Sequence, residues 1–227
     1  MNGWMGKLLV VDLASGEITT PPLDMEMARL FIGGRGLGTR LLWDLVGPEV
    51  EPLSPGNVLI IATGPMTATG FQTSNRFSVT TKSPQTGTVL DANSGGTWGM
   101  RFKRAGYDAL IVKGRAPHPV WLEITPDAVT LKDASHLWGM TVPQASEALG
   151  QNKNKRNVLC IGPAGENLVR FAAIMNDVSR SAARGGVGAV MGSKNLKAIV
   201  VEGDLRVEFE DKDRFRFIQY EATKMLK

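Results

Sequence analysis

The chain has 227 residues, 43% of them hydrophobic, enough to bury the core of one large domain or two small ones. Its net charge of +4 admits an anionic ligand, and the absence of any long basic run removes the usual signature of a nucleic-acid binder. With one cysteine, Cys160, these residues cannot by themselves build a disulfide framework, a cysteine-ligated zinc site or an iron–sulfur cluster.

The opening "MNGWMGKLLVVDLASG" is interrupted by Gly, Lys and Asp, so it does not read as a secretory signal, and no apolar run is long enough to span a membrane. A cytoplasmic protein is expected. "GKLLVVDLASGEITTPPL" predicts a hairpin that turns at "ASGE". "DMEMARLFIGGRGLGTRLLWDLV" predicts a helix in two pieces, capped by Asp24 and interrupted at Gly33 and Gly34, with Leu37, Leu41, Leu42 and Leu45 at helical spacing. "NVLIIATGP", "RFSVTTKSP" and "GTVLDANSGG" read as strands, the last opening into a polar, Gly-rich loop. A short helix over "TWGMRFKRAG", a strand in "YDALIVKGRA" and a hairpin about "PDA" follow. "VPQASEALG" predicts a helix capped by Thr141 and stopped at Gly150; "QNKNKRN" reads as a solvated loop. "NVLCIGPAGENLVRFAAIMND" is a strand, a turn and a further apolar segment, with Cys160 as a buried core residue. The last segment, "VEFEDKDRFRFIQYEATKMLK", begins a charged helix with no stop signal. The expected division is a domain over 1–205 and the start of a following helical domain, truncated here, over 206–227.

Strands outnumber helices without alternating regularly with them, which predicts an α+β fold. "NVLIIATGPMT" from Asn57 and "NVLCIGPAGEN" from Asn157 echo one another. Each is followed by Arg and by a Lys/Ser pair: Arg76 with Lys82-Ser83, and Arg180 and Arg184 with Ser193-Lys194. The echo is either a duplicated unit or a coincidence between two apolar strands.

The stretch from Ser179 to Gly203 raises a chemical question, because Gly185, Gly186, Gly188, Gly192 and Gly203 sit among Arg180, Arg184, Lys194 and Lys197. Neither "GGRGLG" nor "GGVGAVMGSKN" satisfies a nucleotide fingerprint, since Ser193 precedes Lys194 and the glycine spacings are wrong. Such a run can instead present successive N–H groups to an anion, or be a tight turn feeding a packed strand. Three other segments favour the anion: "TSNRFSVTTKSP", whose Arg76 and Lys82 are six apart and share a strand face; "DANSGGTWG", with Asn93, Ser94, Gly95 and Gly96; and "IGGRGLGTR", with Arg35 and Arg40. Together they predict one extended, flat, polyanionic ligand. His118, His136, Asp91, Asp108, Asp133 and Glu166 form no recognisable nucleophile or metal pattern, and Trp98 and Trp138 read as core or interface.

These motifs, with "PLSPGNVLIIATGPMT", "NRFSVTTKSPQTG", "ASHLWG", "IGPAGENLVRFAAIMND" and "RGGVGAVMGSKNLKAI" in order from Trp4 to Gly203, closely resemble the N-terminal domain of the tungsten-dependent aldehyde:ferredoxin oxidoreductase family. The resemblance implies two β-sheets related by a pseudo-twofold, forming a base for a bis-pterin cofactor. That cofactor is two molybdopterin dithiolenes holding tungsten, with molybdenum as the alternative metal, their phosphates bridged by Mg2+. Residue by residue, the resemblance implies that Arg76, Asn93, Gly95, Arg180, Ser181, Ala183 and Arg184 bind the cofactor. The backbone carbonyls of Asn93 and Ser181 would meet magnesium. "RSAAR" departs from the family's usual R-A-A-G-R at Ser181 and Ala183.

The implied activity is oxidation of aldehydes to carboxylic acids, with electrons passed through a 4Fe-4S cluster to ferredoxin. The cluster ligands and acid/base residues of the family lie in later domains, so this portion is expected to be inactive alone, to need those domains or a second subunit, and to be compatible with a homodimer. Two other readings stay open: a stand-alone pterin-binding module or subunit, and a nucleotide-binding enzyme.

Overall fold

An apolar strand and a two-residue return open the fold. Leu8–Asp12 (β1) turns through Gly16 and returns as Ile18–Thr19 (β2), antiparallel to it. The computed structural model describes residues 2–151 and 156–226, so most of the expected loop "QNKNKRN" lies outside the described residues. Helices Met25–Phe31 (α1) and Gly34–Leu45 (α2) follow, the first capped by Asp24, which accepts from Glu26 N at 2.8 Å. Next come Leu59–Ala62 (β3), Phe77–Lys82 (β4), Val89–Ser94 (β5), the helix Trp98–Arg104 (α3) and Ala109–Lys113 (β6).

The second half begins with the hairpin Val120–Ile124 (β7) and Val129–Asp133 (β8). Helix Val142–Ala148 (α4), Asn157–Cys160 (β9) and the short helix Pro163–Glu166 (α5) follow. Ile174–Asn176 (β10), Arg180–Ala182 (β11), helix Val187–Ser193 (α6) and Leu196–Val201 (β12) complete it. A last helix spans Lys212–Met225 (α7).

The strands form two six-stranded mixed sheets, ordered β2-β1-β6-β3-β4-β5 and β11-β10-β9-β12-β7-β8. Read from its other edge, the second sheet repeats the first strand for strand, each label raised by six. The pair senses repeat as well. β1 and β6 are parallel, as are β7 and β12, and the remaining pairs are antiparallel in both sheets. The topology therefore resolves the echo in favour of a duplicated unit, and the fold is α+β as expected. The register also corrects the echo in detail. Arg76 leads into β4, whereas Arg180 lies in β11, the counterpart of β5. Lys82 closes a strand and Ser193 closes a helix, so those Lys/Ser pairs are not equivalent either.

Period-two alternation divides the apolar side chains among three layers. Leu59 and Ile61 face the second sheet, where Leu122, Ile124, Ile199 and Val201 meet them, while Ile60 and Ala62 face α1 and α2. On the far side Val158, Cys160, Ala198 and Val200 pack against α4. β3, β9 and β12 are thus buried on both faces, which is why they read as unbroken apolar runs. Trp98 sits in the middle layer, 0% exposed, stacked on Phe102 at 5.2 Å, with its indole N–H donating to Ile199 O of the opposite sheet at 3.1 Å. Trp98→Ala removes this inter-sheet anchor and leaves a cavity; denaturant unfolding is expected to show a loss of about 3–5 kcal/mol.

Candidate functional site

The free edges of the two sheets, β5 and β11, approach one another and define a seam. Arg76 enters it from the start of β4, steadied by its Nε donating to Asn93 Oδ1 at 3.1 Å. Arg180 enters from β11. A Cβ on Gly95 would lie 3.6 Å from Nη1 of Arg180 and 3.9 Å from Nη1 of Arg76, so one bare glycine separates guanidinium groups carried by different sheets. Among the described residues neither arginine has a carboxylate partner. Two converging cations with no counter-charge, beside backbone that carries no side chain, fit an anion of more than one charge.

The seam is held by residues that the sequence reading did not weigh. Asn176 is fully buried; its amide donates to Gly95 O and to Ser94 Oγ at 3.5 Å, and its Oδ1 has no partner among the described residues. Asp177 accepts from Thr97 N at 2.8 Å, Thr97 Oγ1 at 3.1 Å, Asn157 Nδ2 at 2.9 Å and Gln151 Nε2 at 3.1 Å. The turn between β10 and β11 is thereby tied to the loop between β5 and α3. The one available signal was the polar pair "ND" ending an apolar segment.

The repeat relates the remaining site residues. Asn93 in β5 pairs with Ser78, which pairs with Ala62 at the end of β3; Ser181 in β11 pairs with Met175, which pairs with Cys160 at the end of β9. Asn93 and Ser181 are therefore equivalent positions, and Gly95 and Ala183, two residues further on, are equivalent too. Ser181, Ala183 and Arg184 are exposed on the strand and its exit, whereas Asn93 and Gly95 are half-buried. Among the described residues no group of three His, Cys, Asp or Glu side chains could hold a metal ion, so a metal here would depend on backbone oxygens and on the ligand's own.

The model of the aldehyde ferredoxin oxidoreductase N-terminal domain matches residues 8–203. This chain belongs to that family. It is 48% identical over its whole length to the tungsten-containing aldehyde ferredoxin oxidoreductases of Pyrococcus furiosus and Thermococcus kodakarensis, of which it spans 38%. It is 37% identical to an aliphatic sulfonate oxidoreductase, WOR-like subunit, of Pyrococcus furiosus, of which it spans 39%. Among solved structures, the active-site complex BamBC of benzoyl coenzyme A reductase superposes with a TM-score of 0.95 at 40% identity, covering 98% of this chain and 34% of the other. The aldehyde ferredoxin oxidoreductase resemblance and its two-sheet base are thus established.

Other expected cations do not join the seam. Lys82 stands at the opposite end of β4 from Arg76, about 20 Å along the strand, and donates to Pro48 O. Arg40 pairs with Asp44 on its own helix at 2.6 Å, and Arg35 pairs with Asp91 at 2.9 Å. His118 and His136 lie on the surface, each 3.9 Å from Asp133. Cys160 is buried, which pushes its thiol pKa up.

The glycine run resolves differently from the anion-nest expectation. α6 is buried throughout, and a Cβ on Gly192 would lie 2.0 Å from Gly165 O, so this glycine lets two backbones touch. A phosphate loop is excluded at this helix for the same reason. Lys194 and Lys197 are both 0% exposed and serve as internal donors. Lys197 bonds Met140 O at 2.9 Å and pairs with Glu166, which also accepts from Gly139 N at 2.8 Å. Lys194 spans the halves, bonding Asn57 O at 2.5 Å and Gly114 O at 3.0 Å.

Burial, with Arg115 adding to it, lowers the Lys194 pKa from 10.5 to about 8. The unfolded chain then binds the extra proton between those values, so stability contributed at this site rises with pH from about 8 to about 10.5. Comparing urea midpoints of wild type and Lys194→Met across that window should show a shallower rise in the variant.

Proposed function

We propose that this chain is the cofactor-binding portion of a tungsten-dependent oxidoreductase and that its seam seats two phosphorylated pterin dithiolenes. The observation that carries the reading is the convergence of Arg76 and Arg180 from opposite sheets onto Gly95 without a carboxylate partner. Arg76, Arg180 and Arg184 offset phosphate charge. The backbones at Asn93 and Ser181, equivalent in the repeat, would supply hard oxygen ligands to a Mg2+ ion, with Gly95 and Ala183 leaving room beside them. The buried, unpartnered Oδ1 of Asn176 marks a polar environment directly beneath the seam.

A bound tungsten cofactor would supply the two-electron redox chemistry that oxidation of an aldehyde to a carboxylic acid requires. Arg76, Arg180 and Arg184 would serve that cofactor through charge and position. They bind, orient and hold the cofactor's charge in a preorganised field. A 4Fe-4S cluster, ferredoxin as electron acceptor, further domains, a homodimer and a cytoplasmic location complete this reading. No helix among the described residues is long and apolar enough to cross a membrane. The division falls near residue 205, because the family match ends at 203 and α7 contributes no buried residue. A second reading, a subunit whose catalytic domains are on another chain, draws support from the description of one relative as a subunit and of the structural neighbour as a complex.

The test is cofactor retention. Protein purified without oxygen from cells that make the pterin is assayed for tungsten and pterin per chain. A hydrogen bond to a charged partner is worth roughly 1.5–3 kcal/mol, so Arg76→Ala is expected to weaken retention by about one to two orders of magnitude. Arg180→Ala should do likewise, and wild-type occupancy in both variants would overturn the assignment.

A further inference from the structure

The two halves share a topology but differ beside the seam. α2 and α4 are equivalent helices, each starting over the Gly-Pro turn that follows β3 or β9. Gly34 N donates to Thr63 O at 3.0 Å, and Val142 Cγ2 lies 3.4 Å from where a Cβ on Gly162 would be. At α4 the start is closed. Gln144 Oε1 folds back on Thr141, accepting from its N at 3.0 Å and its Oγ1 at 2.7 Å, while Val142 and Pro143 supply apolar cover. At α2 the start is open. Gly33 is its cap with no side-chain hydrogen bond, and Gly34 replaces the valine.

The opening uncovers a hydroxyl. Ser78 is 7% exposed, its Oγ makes no hydrogen bond among the described residues, and it lies 3.5 Å from the position a Gly34 Cβ would take. A cleft of about 350 Å3 forms there, lined by Gly34, Arg35, Arg76, Phe77, Ser78 and Asn93. In the second half the register places Met175 where Ser78 stands, and Ala173 where Arg76 stands. The first half thus holds a buried donor, two guanidinium groups and the positive end of a helix where the second half is apolar. Asp91 neutralises one charge through Arg35, and its own Oδ1 is buried without a partner among the described residues. One net positive side-chain charge is left facing the cleft.

We propose that this cleft is a phosphate pocket present in one half only, with Ser78 as its hydroxyl donor and Arg35 and Arg76 as its cations. Resting on the cofactor reading above, it makes the two pterin sites inequivalent: the phosphate arm over the first half is gripped by the pocket, and the arm over the second half by Arg180 and Arg184 alone.

The test titrates inorganic phosphate and pyrophosphate into the purified chain by calorimetry. Ser78→Ala is expected to raise the dissociation constant about tenfold or more while leaving the unfolding midpoint nearly unchanged, because the hydroxyl has no partner among the described residues. Met175→Leu, in the apolar counterpart, should bind as wild type does. Wild-type affinity in Ser78→Ala, or no phosphate binding by the wild-type chain, overturns the pocket. If Arg76→Ala loses pterin while Ser78→Ala keeps both pterin and phosphate affinity, the pocket falls and the cofactor reading stands. If Ser78→Ala loses phosphate affinity and the wild-type chain carries no pterin, the pocket stands and the cofactor reading falls.

Discussion

Everything at the seam depends on the grip of Asn176 and Asp177 on the loop that follows β5. The two sheets are separate hydrogen-bonded units, and apolar packing between them is non-directional. Such packing fixes a distance between layers, but it tolerates sliding far better than a bidentate carboxylate does. Asp177 removes that freedom by accepting from Thr97 on one side and from Asn157 and Gln151 on the other. Its partners lie in both halves, so the relative register of Arg76 and Arg180 is set by short hydrogen bonds. Gly96 is the concession this requires: a Cβ there would fall 2.4 Å from Asp177 Oδ2.

Much of the fold was legible because it rests on patterns with a local cause. Asp24 and Thr141 announce helix starts, Gly-bearing turns announce hairpins, and both-face burial writes unbroken apolar runs such as "VLII" and "VLCI". The echo at Asn57 and Asn157 was visible because both stand at the head of equivalent strands, Asn57 two residues ahead of β3 and Asn157 as the first residue of β9. Its continuation was misaligned because arginines near strands look alike in one dimension, whereas only register distinguishes a residue before β4 from one inside β11.

The site was legible in its charges and illegible in its supports. Arg76, Asn93, Gly95 and Arg180 do come together, but the glycine run that first suggested an anion works mostly by packing, as Gly192 against Gly165 makes plain. Lys194 and Lys197 belong to the same misreading. A lysine between glycines invites a phosphate in sequence, yet here each ammonium is spent on backbone carbonyls that burial would otherwise leave unpaired. Asn176 and Asp177 were invisible for the opposite reason, since their partners are distant in sequence and nothing local distinguishes "ND" from a turn.

Under the proposed reading, a cofactor with two similar arms would suit a fold with two similar halves, and divergence would let the halves treat those arms differently. A symmetric pair of sites would have to place the same residues at equivalent register positions. The structure keeps that equivalence only in the backbone, at Asn93 with Ser181 and at Gly95 with Ala183. It abandons it where side chains matter, setting Ser78 against Met175 and Gly34 against Val142. Backbone oxygens survive substitution and so preserve a shared contact between the halves. Side-chain donors do not, and under the proposed reading their presence in one half alone would let a repeated scaffold hold a nearly symmetric ligand in a single orientation.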